Sequence, residues 1–268
     1  QNSYQTLASM RLILADGSLL DTGDAASREA FAASHAGLLR GIGRLVADVQ
    51  ANPALAERIA HKFRIKNTTG YSLNALVDYR DPIDVLQHLM IGSEGTLGFI
   101  AEITYRTVVE HPHKASALVF FADVGSACAA VALLKSEPVD AVEIMDRAAL
   151  RSVQDQPGMP AELAMLPEGA AALLIETRAG DVAGLSAHID HIRASLKSVT
   201  TLGDIVFTDV PAEFERLWKI RKGMFPSVGA VRELGTTVII EDIAFPVPRL
   251  AEGTVELKQL FAEHGYDN

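Results

Sequence analysis

A glycine-rich loop at residues 92–98 has the residue types that could bind a ligand. It reads Gly-Ser-Glu-Gly-Thr-Leu-Gly, so three glycines and the hydroxyls of Ser93 and Thr96 fall close together. Glycine tolerates positive φ and lets a ligand approach the backbone, and successive N–H groups in such a turn form anion-binding nests. The pattern suits phosphate binding. From spacing alone a plain connection between a helix and a strand is favoured, because lone glycine-rich loops are weak signals.

The elements that flank this loop limit how it could hold a phosphate. Residues 81–90 predict a short helix, since Asp81 suits the N-cap and Pro82 the first helical position. Residues 97–108 are rich in β-branched and aromatic side chains, which is typical of a strand. The loop therefore follows a helix C-terminus, whose dipole is negative. A phosphate would depend on loop N–H groups and hydroxyls, and the Glu94 carboxylate would have to point away from it.

A second candidate is Arg221, which interrupts the apolar face of a helix predicted at residues 212–224. Its apolar partners at i−7, i−4 and i−3 are Phe214, Leu217 and Trp218. A buried arginine needs a partner, and its planar guanidinium suits a carboxylate. Two interpretations stay open: a clamp for a substrate carboxylate, or a structural ion pair. The acids considered for the ion pair are Glu143, Glu241 and Asp242.

Two adjacent acids lie inside a strongly apolar predicted strand at residues 236–246. Because adjacent strand residues point to opposite faces, one of Glu241 and Asp242 should face the less solvated side. That acid could pair with Arg221, or it could be a site residue whose pKa is raised by burial. The sequence does not separate these roles.

Composition limits the class of protein. The 268 residues are 49% hydrophobic and 22% charged, which is ordinary for one large or two moderate globular domains. The net charge of −10 argues against nucleic-acid binding, which needs a basic face. No apolar run reaches the roughly 18 residues of a membrane span. The single cysteine, Cys128, suits a reducing cytoplasm and is expected to be a small buried hydrophobe. We therefore expect a cytoplasmic protein with no nucleic-acid partner and no membrane span.

The order of elements changes along the chain. The first part predicts a hairpin at residues 10–22, helices at 27–50 and 55–63, and a polar loop at 66–71. Residues 111–114, His-Pro-His-Lys, predict a solvated linker and not a metal site. The later elements, strand or helix in the order βαββαβ, are predicted at residues 117–121, 124–136, 140–145, 171–177, 182–196 and 205–207. This order is typical of a split βαβ unit with helices on one face of an antiparallel sheet. Residues 154–169 predict a loop, and residues 248–264 a last helix.

Several linked motifs resemble a known family. Residues 91–100, IGSEGTLGFI, with KNTTGY at 66–71, resemble the FAD-linked oxidases of the vanillyl-alcohol-oxidase (PCMH-type) fold. Within that family they are similar to the D-lactate, glycolate and D-2-hydroxyglutarate dehydrogenase branch. Residues 217–226 and 239–246 resemble the family's C-terminal domain, and are similar to a large bacterial type that continues into an iron–sulfur module.

The resemblance implies a fold and a site. The chain would be α+β and incomplete at both ends. Residues 1–107 would form the second FAD subdomain, with a mixed or antiparallel sheet, and residues 108–268 a truncated, ferredoxin-like antiparallel-sheet substrate cap. Arg221 would hold the substrate carboxylate. FAD would be the cofactor, and the residues implied to line it are Gly92, Ser93, Glu94, Gly95, Thr96 and Gly98, with Asn67 and Gly70 nearby.

The implied reaction is oxidation of a D-2-hydroxy acid to the 2-oxo acid by hydride transfer to flavin, and this fragment alone is expected to be inactive. The implied partners are the small-molecule 2-hydroxy acid and an electron acceptor or iron–sulfur module in the rest of the parent chain. A divalent metal would come from a stretch outside these residues. At Phe225 and Ile240 the family's best-known 2-hydroxyglutarate enzymes have a hydroxyl and a lysine, so the substrate stays open. The alternatives are an FAD oxidase of a sugar or aromatic alcohol, or a non-catalytic scaffold that has lost flavin binding.

Overall fold

The computed structural model describes residues 2–155, 160–231, 235 and 243–266. These residues form two compact units: the first contains residues 2–109 and 243–244, and the second contains the other described residues from 110 onward. Each unit has one small antiparallel sheet, flanking helices and its own hydrophobic core. The expected α+β class is confirmed.

The sheet of the first unit has three strands in the order β2-β1-β3, with antiparallel neighbours. The strands are β1 (Leu7–Ile13), β2 (Leu19–Asp21) and β3 (Phe99–Tyr105). The hairpin expected from the sequence is confirmed, and its turn places Gly17 at a φ of +82°. The helices are α1 (Ser3–Thr6), α2 (Ala25–Ser34), α3 (Ala36–Gln50), α4 (Pro53–Lys62), α5 (Ala75–Asp78) and α6 (Pro82–Leu89).

Residues at helix ends explain where α6 begins and where α2 ends. The Asp81 side chain accepts hydrogen bonds from the N–H groups of Ile83 and Asp84, and Pro82 is the first helical residue, so the prediction of α6 is confirmed. The single helix predicted at residues 27–50 is instead split at His35, whose φ of −112° and ψ of 28° leave the helical region. Both α3 and α6 turn buried apolar residues into the core, which includes Met10, Leu12, Leu20, Phe31, Val46 and Val85.

Among the residues that the structure describes, the sheet of the second unit also has three strands, in the order β4-β6-β5 with antiparallel neighbours. They are β4 (His113–Phe121), β5 (Ala141–Met145) and β6 (Ala171–Ala179). The helices are α7 (Val124–Leu134), α8 (Arg147–Val153), α9 (Val182–Leu196), α10 (Pro211–Val231) and α11 (Leu250–Glu263), with 3₁₀ turns at Ala161–Met165 and Val247–Arg249.

The sheet of the second unit is covered on both faces, so the prediction of helices on one face is wrong. Leu173 and Ile175 of β6 pack into a cluster with residues of α7 and α9. On the opposite face, Leu174 packs with Leu150 and Val153 of α8 and with Leu217 and Trp218 of α10. Alternate residues of β6 are therefore buried under different helices, as the two-residue period of a strand requires.

The strand predicted at residues 205–207 is not formed. Thr208 alone pairs with Ser116 of β4, through two N–H to carbonyl hydrogen bonds of 2.9 Å. The predicted linker is wrong in part, because β4 already begins at His113. The predicted loop at residues 154–169 contains the 3₁₀ turn Ala161–Met165.

Part of the strand predicted at residues 236–246 lies outside the described residues, and residues 243–246 are irregular. The last predicted helix is present as a 3₁₀ turn followed by α11. Among the described helices, none is both long and apolar enough to cross a membrane.

Candidate functional site

The glycine loop (residues 91–98) and the Asn67 loop (residues 66–72) contact each other in the first unit. The N–H of Tyr71 donates to the carbonyl of Gly92 at 3.1 Å, and a Cβ added to Gly70 would lie 3.1 Å from the same oxygen. Both Gly70 and Gly92 have positive φ, +75° and +80°. The two loops thus cross at a point where a side chain on Gly70 would crowd the backbone.

Asn67 shapes its own loop through its side-chain amide. The Nδ2 group donates to the Gly70 carbonyl at 3.1 Å, and Oδ1 accepts from the N–H and the hydroxyl of Thr69 at 3.3 and 3.2 Å. The structure therefore places Asn67 and Gly70 beside the glycine loop, as the resemblance implies. Their contact with FAD stays a prediction.

Both hydroxyls of the glycine loop bond within the protein. Ser93 is 4% exposed, and its Oγ donates to the Met90 carbonyl at 2.9 Å. The Thr96 hydroxyl donates to the Ser93 carbonyl at 2.6 Å, so the Tyr71 hydroxyl, 2.7 Å away, acts as donor to Thr96. In this arrangement the hydroxyls brace the turn, and a contact between either hydroxyl and FAD stays a prediction.

Two backbone N–H groups of the glycine loop make no hydrogen bond to a described residue. Glu94 and Gly95 are exposed, have φ of +49° and +79°, and their N–H groups meet no acceptor among the described residues. A Cβ added to Gly95 would touch nothing within 4 Å. The tip of the loop therefore has N–H groups that belong to exposed residues and have no acceptor in the described part of the chain, which fits a ligand oxyanion such as a dinucleotide phosphate. The exposed Glu94 side chain is the like-charged group that such a ligand would have to avoid.

Gly98 has a structural reason to be glycine. A Cβ there would lie 3.0 Å from Met90 Cε and 3.1 Å from the Ile13 carbonyl oxygen. This close packing joins the loop to β1 and needs no ligand to explain it.

Arg221 lies on α10 and pairs with Glu143 of β5. Its Nε and Nη2 atoms both donate to Glu143 Oε2, at 3.1 and 2.8 Å. The side chains of Arg221 and Glu143 are 37% and 39% exposed, so the expectation that Arg221 is buried is wrong. The ion pair with Glu143 is one of the pairings that the sequence left open. Glu241, Asp242, Ile240 and the side chain of Phe225 lie outside the described residues.

The ion pair leaves part of the Arg221 guanidinium open. Guanidinium carries five N–H groups, and Glu143 takes two of them. The end-on edge, formed by Nη1 and the second N–H of Nη2, has no acceptor among the described residues. A structural pairing and a carboxylate clamp are therefore compatible at the same side chain.

Sequence reasoning missed Arg147, the first residue of α8. Arg147 is 7% exposed, and its Nε and Nη1 atoms are buried with no hydrogen-bond partner among the described residues. The spacing of apolar residues could have indicated Arg147, because it precedes the buried Leu150 and Val153 by three and six residues. This is the same reasoning that singled out Arg221.

Other candidate chemistries find little support in the described part of the chain. It holds no group of three or more His, Cys, Asp or Glu side chains that could bind a metal ion. Cys128 is 1% exposed, its Sγ lies 3.7 Å from Thr254 Oγ1, and burial raises the pKa of its thiol. The interpretation of Cys128 as a small buried hydrophobe is confirmed.

Comparison with known proteins assigns the family. Residues 110–268 match the model of the C-terminal domain of FAD linked oxidases. The chain belongs to the FAD-linked oxidases. The family-level resemblance drawn from the motifs is thereby confirmed, and the family implies FAD as cofactor.

Two relatives of this FAD-linked oxidase match over much of its length. The mitochondrial D-lactate dehydrogenase [cytochrome] of Arabidopsis thaliana is 30% identical over 172 residues, which cover 62% of this chain and 28% of that protein. Glycolate oxidase subunit GlcD of Bacillus subtilis (strain 168) is 24% identical over 181 residues, covering 67% and 37%. The matched region thus spans 28% to 37% of the length of these relatives.

A solved structure of alkyldihydroxyacetonephosphate synthase is also similar. It superposes with a TM-score of 0.51 over 97% of this chain and 41% of that one, at 13% identity. At this identity the likeness concerns the fold alone.

Proposed function

We propose that this chain is part of an FAD-dependent oxidoreductase that oxidises a D-2-hydroxy acid, of the lactate, glycolate or 2-hydroxyglutarate type, to the 2-oxo acid. The observation that carries the proposal is membership of the FAD-linked oxidases combined with similarity to a D-lactate dehydrogenase and a glycolate oxidase subunit. Lactate and glycolate are both 2-hydroxy acids, so a shared substrate class is the simplest interpretation.

The proposal assigns a role to each part of the chain. Residues 1–107 are the C-terminal part of the FAD-binding domain, and residues 108–268 are the substrate cap, with a ferredoxin-like sheet. The strand order β4-β6-β5, with Thr208 bridged to the free side of β4, supports that topology. We assign the protein to the cytoplasm. The implied divalent metal and iron–sulfur module belong to sequence outside these residues.

FAD binding is assigned to the glycine loop. The N–H groups of Glu94 and Gly95 are the donors that a phosphate oxygen would meet, because they belong to exposed residues and have no other acceptor among the described residues. The remaining implied residues set the shape of the loop by the contacts given above: Gly92, Ser93, Thr96, Gly98, Asn67 and Gly70. When bound, the flavin supplies the acceptor for the hydride.

Substrate binding is assigned to Arg221. Glu143 holds one edge of the guanidinium, and the end-on edge remains able to bind a carboxylate with two parallel hydrogen bonds. Fixing the carboxylate restricts the orientation of the α-carbon, and such an orientation effect contributes to the rate. Because its head group is partly exposed, Arg221 is accessible to a small ligand.

The test uses the full-length protein. An absorbance scan should show bound flavin, and anaerobic addition of D-lactate, glycolate or D-2-hydroxyglutarate should bleach it, whereas L-lactate should not. Glucose and benzyl alcohol serve as the sugar and the aromatic alcohol. If only glucose or benzyl alcohol bleached the flavin, the substrate would be a sugar or an aromatic alcohol and the proposed substrate class would be wrong. A folded, colourless protein would instead support the scaffold alternative.

A further inference from the structure

The guanidinium of Arg147 has buried hydrogen-bond donors that meet no acceptor in the described part of the chain. It lies on the core-facing side of α8, in line with Leu150 and Val153, which pack in an apolar cluster with Leu163 and Leu174. Its Nε and Nη1 atoms have no partner among the described residues. Such an arrangement is unfavourable unless something else accepts these hydrogen bonds, because a buried charge must be paired and solvated by the protein or a ligand.

Three acids near α8, in sequence or by contact, are committed elsewhere. Glu143 accepts both hydrogen bonds from Arg221. The Asp146 side chain caps α8 by accepting from the N–H of Ala149 at 2.9 Å. Glu168 pairs with Arg151, on the exposed side of the same helix, at 2.8 Å. None of these carboxylates neutralises Arg147.

We propose that Arg147 is the binding residue for the carboxylate of a small organic acid. The guanidinium can bind an oxyanion along its side-on edge, which includes Nε, or its end-on edge, which includes Nη1. Either approach meets an unused N–H. A carboxylate suits the site better than a phosphate, because a single charge on an organic body costs less to bury beside aliphatic side chains than a charge near −2. This inference does not rest on the proposed reaction.

The experiment compares the full-length wild type with Arg147→Met. The control is Arg151→Met, which removes the same charge from the same helix at a side chain that is 49% exposed. Thermal unfolding is measured in sodium acetate, sodium propionate, sodium phosphate and sodium chloride at equal ionic strength. Carboxylate at about 100 times its Kd should raise the Tm of the wild type and of Arg151→Met by roughly 5 °C over chloride. The rise should be absent in Arg147→Met.

A second readout covers the case of a partner acid elsewhere in the protein. In chloride, Arg147→Met should be at least as stable as the wild type, because the substitution removes an unpaired buried charge. If Arg147→Met were less stable than the wild type in chloride, an internal acid would be the partner and the proposal would be overturned. The proposal would also be overturned by a rise in Tm with phosphate alone, by an equal rise in Arg147→Met, or by the absence of a carboxylate-specific rise in the wild type. These readouts require no flavin reduction, so they succeed or fail separately from the proposed reaction.

Discussion

Arg221 donates through two nitrogens, Nε and Nη2, to one oxygen of Glu143, Oε2, at 3.1 and 2.8 Å. This pairing fixes the plane of the guanidinium and leaves its end-on edge without an acceptor in the part of the chain that the structure describes. Glu143 is therefore a positioning residue for the proposed clamp and not a competitor for it.

The clamp is tested by Arg221→Lys in the full-length enzyme. Lysine keeps the charge but loses the planar fork, so one charge-assisted interaction worth about 1.5–3 kcal/mol is removed. We expect kcat/KM for the best 2-hydroxy acid to fall by roughly 10- to 150-fold, with bound flavin unchanged. Glu143→Gln should raise KM more than it lowers kcat, because it loosens the orientation of Arg221.

Arg216→Lys is the matched control for Arg221→Lys, since Arg216 is an exposed residue of the same helix. Its kinetic constants should match those of the wild type. Unchanged kcat/KM in Arg221→Lys, for every 2-hydroxy acid tested, would remove Arg221 from the site.

Bracing of the glycine loop is tested by Tyr71→Phe. This change deletes the 2.7 Å hydrogen bond to Thr96 Oγ1, which we expect to be worth about 0.5–1.5 kcal/mol. Dissociation of FAD from the full-length protein should become several-fold faster, because the turn that presents the Glu94 and Gly95 N–H groups is less constrained. Flavin release on dilution, followed by fluorescence, measures it. Tyr105→Phe, at a tyrosine of similar exposure (42% against 41%), should leave flavin release unchanged.

The stability of the first unit should depend on pH through His88. His88 is 3% exposed, and its ring stacks on Tyr79 with ring centroids 3.9 Å apart. Burial lowers its pKa, and Nδ1 lies 2.7 Å from the Asp84 carbonyl oxygen, so Nδ1 carries the proton of the neutral ring. The unfolded chain therefore binds more protons than the folded one at mildly acid pH. The free energy of unfolding should fall as the pH drops below about 6.5.

Urea unfolding between about pH 7.5 and about pH 5.5 measures this effect. His88→Gln should flatten the pH dependence, although its stability at neutral pH will be lower because the aromatic stack is lost. His61→Gln is the control, since His61 is exposed on α4. If the free energy of unfolding of His88→Gln changed with pH as steeply as that of the wild type, other groups would cause the pH dependence.

Gly253 of α11 is predicted to tolerate no side chain. A Cβ there would lie 2.6 Å from Cδ1 and Cε1 of Phe245, so Gly253→Ala should lower the free energy of unfolding by about 1–3 kcal/mol. Gly41→Ala, in α3, meets nothing within 4 Å and should raise it by about 0.5–1 kcal/mol. Thermal unfolding of both variants checks the opposite signs. A stabilised Gly253→Ala would show that the Phe245 ring moves aside freely.

The sequence predicted the bounds of a helix correctly where a capping residue and a regular apolar period coincide. Helix α9 runs over the predicted residues, Val182–Leu196, with the Asp181 side chain accepting from the Gly184 N–H at its start. The strand at residues 205–207 failed because β-branched and aromatic residues indicate strand propensity but not a partner. Thr208 forms an isolated bridge to Ser116 of β4, and the Leu202 N–H donates to the Phe120 carbonyl at 2.8 Å, but residues 205–207 form no ladder with β4.

The two arginines show the limit of helical periodicity. Arg221 shares a helix face with Leu217 and Trp218. Periodicity identifies such a face but does not predict how far along the helix its residues are buried, and the Arg221 side chain is 37% exposed. Arg147 is buried, yet α8 has 7 residues, too few for a period to be recognised with assurance. The family itself was accessible from sequence, because its motifs are contiguous runs that need no tertiary information.

Strand β6 is hydrogen-bonded along both edges and covered on both faces, and residues 170–175 are inaccessible to solvent. Its amides should therefore be among the last in the second unit to exchange with deuterated water. The same segment, uncharged from Ala170 to Ile175 and rich in aliphatic side chains, is a strong candidate for intermolecular pairing while unfolded. Expression strategies should keep β4 and β5 on the same polypeptide as β6, since a product that lacks either strand would present this segment to its neighbours and precipitate.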